Sequence, residues 1–540
     1  MKFRENETIL DIIKRNVKLG ENYQQVAEDI LEGKYELNTK LEYVHFSNQV
    51  DWQYEHPKAK STYQLYLHTL NFVNALTKTF ETTGEVRYIV KARQIIDSWL
   101  KQFLNDDGES KHAWYDHTVS NRIANLIYFQ IQAPSKYKLK DRLFEKLLKK
   151  HLEFLMDASN YPENNHGIMM DKALILGAMY IEEEEMRSGY INHAVSRIEK
   201  SFLRDYSYKN VHLENSPEYH RMVTSWLLKI SNILDEIDQP LTPIYKEKLN
   251  KAKKYNGIIM GYHGMYPTIG DTSAGRSKFK KSNEDFVDME AGVAVFNDKK
   301  TQSTLVFNCG FRSRTHKHFD DLSFTLSLHK EEIFSDAGKY NYSPKDPIRE
   351  YAVSAIGHST ILVKNQQYAL NNSTKLDIEN YYTNDKYKYV CGTNGAYQGV
   401  KLKRHIIVVR GDVFIIVDSV SSEEQFVFSQ NFLLAPEIEV EELGSRNFKL
   451  KTASKKKYVL KEHSERGAST IRSGGNEQAM ISRKFNEVID TRRIEINKKV
   501  IETEFVTTFA PEDTRLSMDS WNDSEVSFTL EGESYEVRLH

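Results

Sequence analysis

The hydrophobic pattern of this chain changes period once, and that change constrains the fold more than any other feature. Before about residue 260 the apolar residues recur at helical spacing. Leu67, Leu70, Val73, Leu76 and Phe80 share one helix face, Thr82-Thr83-Gly84-Glu85 interrupts them, and Ile89, Ala92, Ile95, Ile96 and Trp99 resume the period. The spacing predicts a helical hairpin, followed by helices over 119–132, 140–158, 166–182, 189–204, 217–236 and 243–255. Short loops between them fit antiparallel pairs in a bundle, a solenoid or an α/α toroid. A stretch with Gly261, Gly264, Pro267, Gly270 and Gly275 then reads as a linker. After about residue 287 the signals are those of strands. Val293-Ala294-Val295-Phe296 and Thr304-Leu305-Val306-Phe307 flank the polar turn Asn297-Asp298-Lys299-Lys300. His405–Val409 and Val413–Val417 flank Arg410-Gly411-Asp412, a strong hairpin signal. Helices first and strands second predict an α+β multidomain chain. Residues 1–275 form a helical domain and 276–540 an antiparallel β-sandwich, with a cleft between them as the favoured place for a site.

Length agrees with this division, because 540 residues exceed one ordinary core. A net charge of −2 and the lack of a long basic run argue against a nucleic-acid partner. No run is long and apolar enough to suggest a membrane span. Cys309 and Cys391 are the only cysteines, and both sit in apolar, strand-like contexts. They make neither a disulfide framework nor a thiolate cluster for structural zinc, so they are expected to be reduced and buried. The opening residues Met1–Glu7 lack the apolar core of a secretory signal. The expectation is a cytoplasmic protein if the sequence is full length, and a secreted or periplasmic one if a leader has been trimmed.

Polar residues of the chemical kind concentrate in three places. In Thr315-His316-Lys317-His318-Phe319-Asp320-Asp321, two histidines flank a lysine just before an alternating strand. An H-x-H pair entering a strand would point both rings to one side, which suits a metal site, a proton-transfer site, or one of each. Asp336 and His358 follow, and with His318 they offer a His-Asp-His set for a borderline metal such as zinc. Asn164-Asn165-His166-Gly167 heads a helical pattern, where an Asn can cap the helix and backbone dipoles favour an anion. Glu214-Asn215-Ser216-Pro217-Glu218-Tyr219-His220 begins another helix, with Tyr219 in its first turn. Each segment also has a plain structural reading, as a capped helix or as hydrogen-bonded core polar groups.

Taken together these residues resemble a known family. His316-x-His318-x-Asp320-x-Leu322-Ser323-Phe324, Asp336-Ala337-Gly338-Lys339-Tyr340-Asn341-Tyr342 and Gly357-His358-Ser359-Thr360 look like the heparinase II/III-like polysaccharide lyases, a group that includes oligoalginate lyases. Asn165-His166-Gly167, the Glu214–His220 block, and Trp114-x-Asp116 with Arg122 match the family's helical half. The resemblance spans roughly residues 60 to 430. It implies an incomplete α/α toroid followed by an antiparallel β-sandwich. It also implies β-elimination beside a uronic acid in an acidic polysaccharide or oligosaccharide, giving an unsaturated uronate. On this reading Asn165 neutralises the uronate carboxylate with His166 and His316 nearby, and Tyr219 transfers protons, as the acid at the leaving oxygen. Either His166 or His316 is then a candidate base. His318, Asp336 and His358 take a structural Zn²⁺ or other divalent metal, and Arg122 and Tyr340 contact substrate. Met169 departs from the acidic residue that some members carry in the equivalent turn. Two other classes remain open at this point. A glycoside hydrolase on an α/α scaffold would draw on Glu214, Glu218 and Asp271. A non-catalytic glycan-binding or capsule-assembly protein would keep the cleft alone.

Overall fold

The computed structural model describes residues 2–38, 41–47, 49–57, 59–105, 111–371, 373–444, 446–464 and 466–540. The chain divides into two compact units. One comprises Met1–Arg204 and Trp226–Lys246, the other Asp205–Ser225 and Glu247–His540. The boundary passes within the helix Pro217–Glu236, so the first turns of that helix, with Tyr219, belong to the second unit.

The first unit is helical. The expected hairpin consists of helices Val73–Thr83 and Val86–Phe103. Gly84 ends the first at a φ of 71°, and its N–H returns to the Phe80 carbonyl. Tyr88, Ile89, Ala92, Ile95, Ile96 and Trp99 form the buried face of the second. Helices Asp116–Gln132, Asp141–Met156, Asn165–Ala178 and Glu184–Asp205 follow. Gly177 lets two of them approach closely, since a β-carbon there would lie 2.4 Å from Ile123 Cδ1. A two-residue strand pair, Lys34–Tyr35 with Val44–His45, interrupts the helices in a way the hydrophobic period does not foreshadow.

The second unit is built from open antiparallel sheets in layers. A five-stranded sheet runs in sequence order through Phe286–Asp288, Val293–Asp298, Ser303–Asn308, Ser323–Leu328 and Glu331–Phe334. A ten-stranded sheet centres on two long paired strands, Val413–Leu433 and Arg492–Pro511. Side-chain alternation explains the layering. Ala294, Phe296, Leu305 and Phe307 point from the smaller sheet into a core shared with Ile406, Val408, Phe414 and Ile416 of the larger. The opposite parity of the smaller sheet, Val293, Val295 and Val306, packs on Tyr255, Ile258 and Ile259 of the helix Pro243–Ile259. The opposite parity of the larger sheet, Ile407, Val409, Ile415 and Val417, packs on Val526, Phe528 and Val537 of a three-stranded sheet. The hairpin at Arg410-Gly411 forms as expected, with Val409 opposite Val413 and both turn residues at positive φ. Cys309 and Cys391 are free and buried.

Candidate active site

In the second unit three segments meet closely enough to exclude any side chain larger than hydrogen at their junction. Gly270 has a φ of 54°, and a β-carbon on it would lie 2.4 Å from the Asn215 carbonyl oxygen and 2.9 Å from that of His316. Asn215 reinforces the junction by donating its side-chain amide to the carbonyls of Ser313 and Thr315, at 2.7 and 2.9 Å. The helix that starts at Pro217 therefore begins beside the loop that carries His316.

Asp271, the next residue, organises the two histidines. Its Oδ2 lies 2.8 Å from His316 Nδ1 and its Oδ1 lies 3.0 Å from His318 Nε2. Arg349 closes the set, with Nη1 on Oδ1 and Nη2 3.1 Å from Oδ2. Burial opposes ionisation of Asp271, but the bonds from His316, His318 and Arg349 outweigh it and hold the carboxyl well below its ordinary pKa. The histidine pair does not enter the strand in extended form. His316 has a φ of 58°, and the strand begins only at Ser323. The two rings converge through one carboxylate rather than through strand alternation. Between them Lys317 turns inward, 2.5 Å from Asp320 and 3.1 Å from Asp321, and is a buried structural cation.

Tyr219 stacks on His316 with ring centroids 3.7 Å apart and an interplanar angle of 23°. Its hydroxyl lies 3.0 Å from that of Tyr342. Burial first, and then the bond to Tyr342, push the Tyr219 phenol above its ordinary pKa, so it is protonated at neutral pH. His316 Nε2 sits 3.7 Å from Glu214, outside hydrogen-bonding range. Glu218 accepts from the Ser273 N–H at 2.7 Å and from Lys339 at 3.2 Å. His220, next to Tyr219, is structural. It accepts from the His212 N–H and donates from Nε2 to the Ala252 carbonyl.

His318, Asp336 and His358 bring one ligand atom each within 4.8 Å of one another, and all three are buried. His318 Nδ1 and His358 Nε2 are buried nitrogens with no hydrogen-bond partner among the described residues. His358 Nδ1 lies 2.8 Å from Asp336 Oδ2, and Asp271 orients His318 through its other nitrogen. Two free imidazole nitrogens, a carboxylate and an outer carboxylate that fixes a tautomer are the donor set of a divalent cation such as zinc. The two loops that carry these histidines are tied together by Arg404, which is fully buried. Its Nη1 donates to the carbonyls of Leu322 and Ser359 at 2.7 Å each, while Nε and Nη2 hold Asp418 at 2.7 Å.

In the first unit Asn164, not Asn165, caps the helix Asn165–Ala178, and its side chain accepts from the His166 N–H at 2.8 Å. Asn165 is thereby left at the first helical position, partly exposed, with its amide uncommitted to the cap. His166 Nδ1 lies 3.1 Å from Asp116 Oδ2, and that bond, opposed by burial, raises the imidazole pKa. Gly167 is required by close approach, because a β-carbon there would lie 2.5 Å from the Pro162 carbonyl oxygen.

One expectation changes on contact with the structure. Arg122 is fully buried, bonded to His151 and to the carbonyls of His68 and Ala113, and its guanidinium lies 4.1 Å from the centre of the Trp99 ring. It is a core arginine with no surface to offer a substrate. Tyr340 lies in the 336–342 loop at a φ of 48°, and its carbonyl accepts from the Asn486 N–H. The tyrosine of this loop that meets Tyr219 is Tyr342. Arg349 and Arg404 carried no expectation. Arg404 shares the parity of Leu402, Ile406 and Val408, which face the core, so a charge on that face was the available signal.

Comparison with known proteins agrees with this architecture. The family described as Heparinase II/III N-terminus matches residues 1–301, and that described as Heparinase II/III-like, C-terminal, matches residues 282–514. No curated protein sequence gives a significant match. Among solved structures, a heparinase III with methylated lysines has 16% identity and a TM-score of 0.82, over 97% of this chain and 91% of that one. The heparan sulfate lyase HepC from Pedobacter heparinus has 15% identity and a TM-score of 0.78, over 99% of this chain and 92% of its own. At such identities these likenesses concern the fold. The family matches span both the helices and the sheets, and with them the class is that of a polysaccharide lyase. The chain belongs to the heparinase II/III family.

Proposed function

We propose that the protein cleaves a uronic-acid-containing glycan by β-elimination and leaves an unsaturated uronate on the new end. The observation that carries this reading is the stack of protonated Tyr219 on His316, with His316 anchored on Asp271. A proton donor and a proton acceptor stand side by side, as the reaction needs. The proton at C5 of the uronate passes to His316 Nε2, and its bonding electrons form the C4–C5 double bond. The C4–O bond breaks towards the leaving oxygen, which takes the Tyr219 hydroxyl proton. Exchange with solvent restores both groups. The C5 proton becomes removable only if negative charge developing on the carboxylate is stabilised. Asn165 and His166 are suited to that task, since a helix N-terminus and an imidazole held by Asp116 both favour an anion.

His318, Asp336 and His358 would hold the divalent metal, which in this reading fixes the loops bearing His316 and Tyr342. Asp271 and Glu218 are both engaged, one by two histidines and an arginine, the other by Ser273 and Lys339. That engagement disfavours the two opposed carboxylates of a hydrolase. A heparan sulfate lyase among the similar structures makes a glycosaminoglycan the first polymer to test, and alginate the second. The purified protein, incubated with each polymer, is expected to generate the ultraviolet absorbance of an unsaturated uronate. Cleavage with new reducing ends but no such absorbance would overturn the reading.

A further inference from the structure

A second cavity in the second unit shares no residue with the cluster around Tyr219 and His316. It encloses about 840 Å³ and is lined by the segments 354–356, 362–368 and 476–478 together with Phe319, Arg472 and Arg493. Three features of its wall point to one kind of ligand.

The first is aromatic. Phe319 stacks on Tyr368 with centroids 4.8 Å apart at 12°, and Tyr397 meets Tyr368 edge-on at 5.2 Å. Tyr368 is fixed by its hydroxyl, which donates to the buried Asp321. The result is a rigid aromatic stack in the wall of the cavity, against which the C–H face of a sugar ring can pack.

The second is a set of side-chain amides. Asn365, Gln366, Gln367, Asn476 and Gln478 are exposed along two segments that line the cavity. Amides donate and accept at once, which suits hydroxyl groups that do the same.

The third is charge. Lys364, Arg472 and Arg493 share one carboxylate, Glu495, with Arg472 Nε at 3.2 Å and Arg493 Nη1 at 3.5 Å. Among the described residues, Glu477 is the only other carboxylate lining the cavity. Arg493 is 4% exposed, and its Nε has no hydrogen-bond partner among the described residues. Three cations against two carboxylates, with a buried donor unused, leave room for an added anion.

We infer that this cavity is a second saccharide-binding site, which takes a short acidic oligosaccharide with a sugar face against the Phe319–Tyr368 stack and its carboxylate at Arg472 and Arg493. The volume accommodates a di- to tetrasaccharide within the usual range of ligand pockets. The site holds glycan without cleaving it, because none of the proton-transfer groups lines it. Only the acidic character of the ligand is shared with the reading of the active site, and binding is measured here apart from cleavage.

The test uses the full chain carrying Tyr219→Phe, which keeps turnover low. The probes are a tetrasaccharide of alternating glucuronate and N-acetylglucosamine and, as its neutral counterpart, N-acetylchitotetraose. Hydrogen exchange is expected to show protection of 362–368 and 472–478 with the acidic probe. Arg472→Ala should weaken that protection about tenfold or more in probe concentration, the scale of one charge-assisted hydrogen bond. Gln367→Trp fills the cavity from an exposed position and should abolish the protection while leaving the melting temperature unchanged. No protection of these segments at millimolar probe, or protection that survives Gln367→Trp, overturns the site. Equal protection by the neutral probe overturns its acidic specificity. A protein that cleaves no uronate polymer yet shows this protection would defeat the active-site reading and leave this one standing.

Discussion

Replacing Tyr219 with phenylalanine isolates one hydroxyl. The ring that stacks on His316 at 3.7 Å is retained, and almost no volume is lost. Among the described residues the hydroxyl makes one side-chain hydrogen bond, 3.0 Å to Tyr342, a residue that is 46% exposed. Tyr342 can therefore turn its hydroxyl to water, and the stability cost should be at most about 1 kcal/mol. The kinetic cost should be larger. Loss of a positioned general acid slows turnover by about 10²-fold or more, which is roughly 2.7 kcal/mol on the barrier. The two magnitudes separate the roles. A structural tyrosine would show a melting shift with intact turnover, whereas an acid shows the reverse. Tyr342→Phe is the matched control, since it removes the same hydrogen bond from the other side and leaves the Tyr219 proton in place. Its turnover should fall by less than about tenfold. The assay is the initial rate of unsaturated product on whichever uronate polymer is cleaved, with melting temperature measured in parallel. If Tyr219→Phe turns over near the wild-type rate, or if Tyr342→Phe is equally impaired, Tyr219 is not the acid and the mechanism is wrong.

Asp271→Asn should lower turnover by about 10²-fold through misorientation of His316, and weaken metal retention about 10- to 100-fold through His318; unchanged metal content by elemental analysis would contradict the shared anchor. His358→Ala should reduce bound divalent metal to near zero and lower the melting temperature, and a chelator should do the same to the wild type, as read by calorimetry. Arg122→Ala should destabilise by about 3 kcal/mol or more, because it strips the buried partners of a core cation; full stability in a denaturant titration would show that the site tolerates its loss. For His166 the folded pKa is raised, first by its bond to Asp116. Its contribution to stability is therefore fully present below the unfolded value near ~6.5 and is lost as pH rises through the folded value. Asp116→Asn should bring the His166 titration, followed by nuclear magnetic resonance, back down; an unchanged titration would remove Asp116 as the cause.

How much of this was legible in the sequence depends on whether the signal was periodic. Helix and strand periods are local, and they located the hairpin at Gly84, the turn at Arg410-Gly411 and the change from helices to sheets. The two-residue strands at Lys34–Tyr35 and Val44–His45 escaped because two residues cannot express a period. The division of the helix Pro217–Glu236 between compact units escaped for a related reason. Nothing in a continuous helical pattern marks where the chain's packing partners change.

The site was legible in residue type and not in geometry. His318, Asp336 and His358 were nameable from the sequence, and the structure brings their ligand atoms within 4.8 Å. The carboxylate that anchors both His316 and His318 was not legible in that role, because Asp271 stands in a glycine-rich stretch that reads as a linker. Its role arises only when Gly270 allows the chain to lie against Asn215 and His316. Arg122 fails in the opposite direction. An arginine beside Trp114 and Asp116 looks like an anion contact on paper, but a guanidinium can also be satisfied by carbonyls, a histidine and tryptophan faces inside a core. Sequence carries the donor count of such a residue, whereas burial decides who receives the bonds. Arg404 follows the same logic. Its position on a core-facing parity announces an internal partner, and the partners turn out to be Asp418 and the backbones beside His318 and His358. Arg404→Met should therefore loosen both loops while keeping the sheet's packing volume. The expected result is metal loss greater than the fall in melting temperature would explain, and the reverse order would assign Arg404 to the core alone.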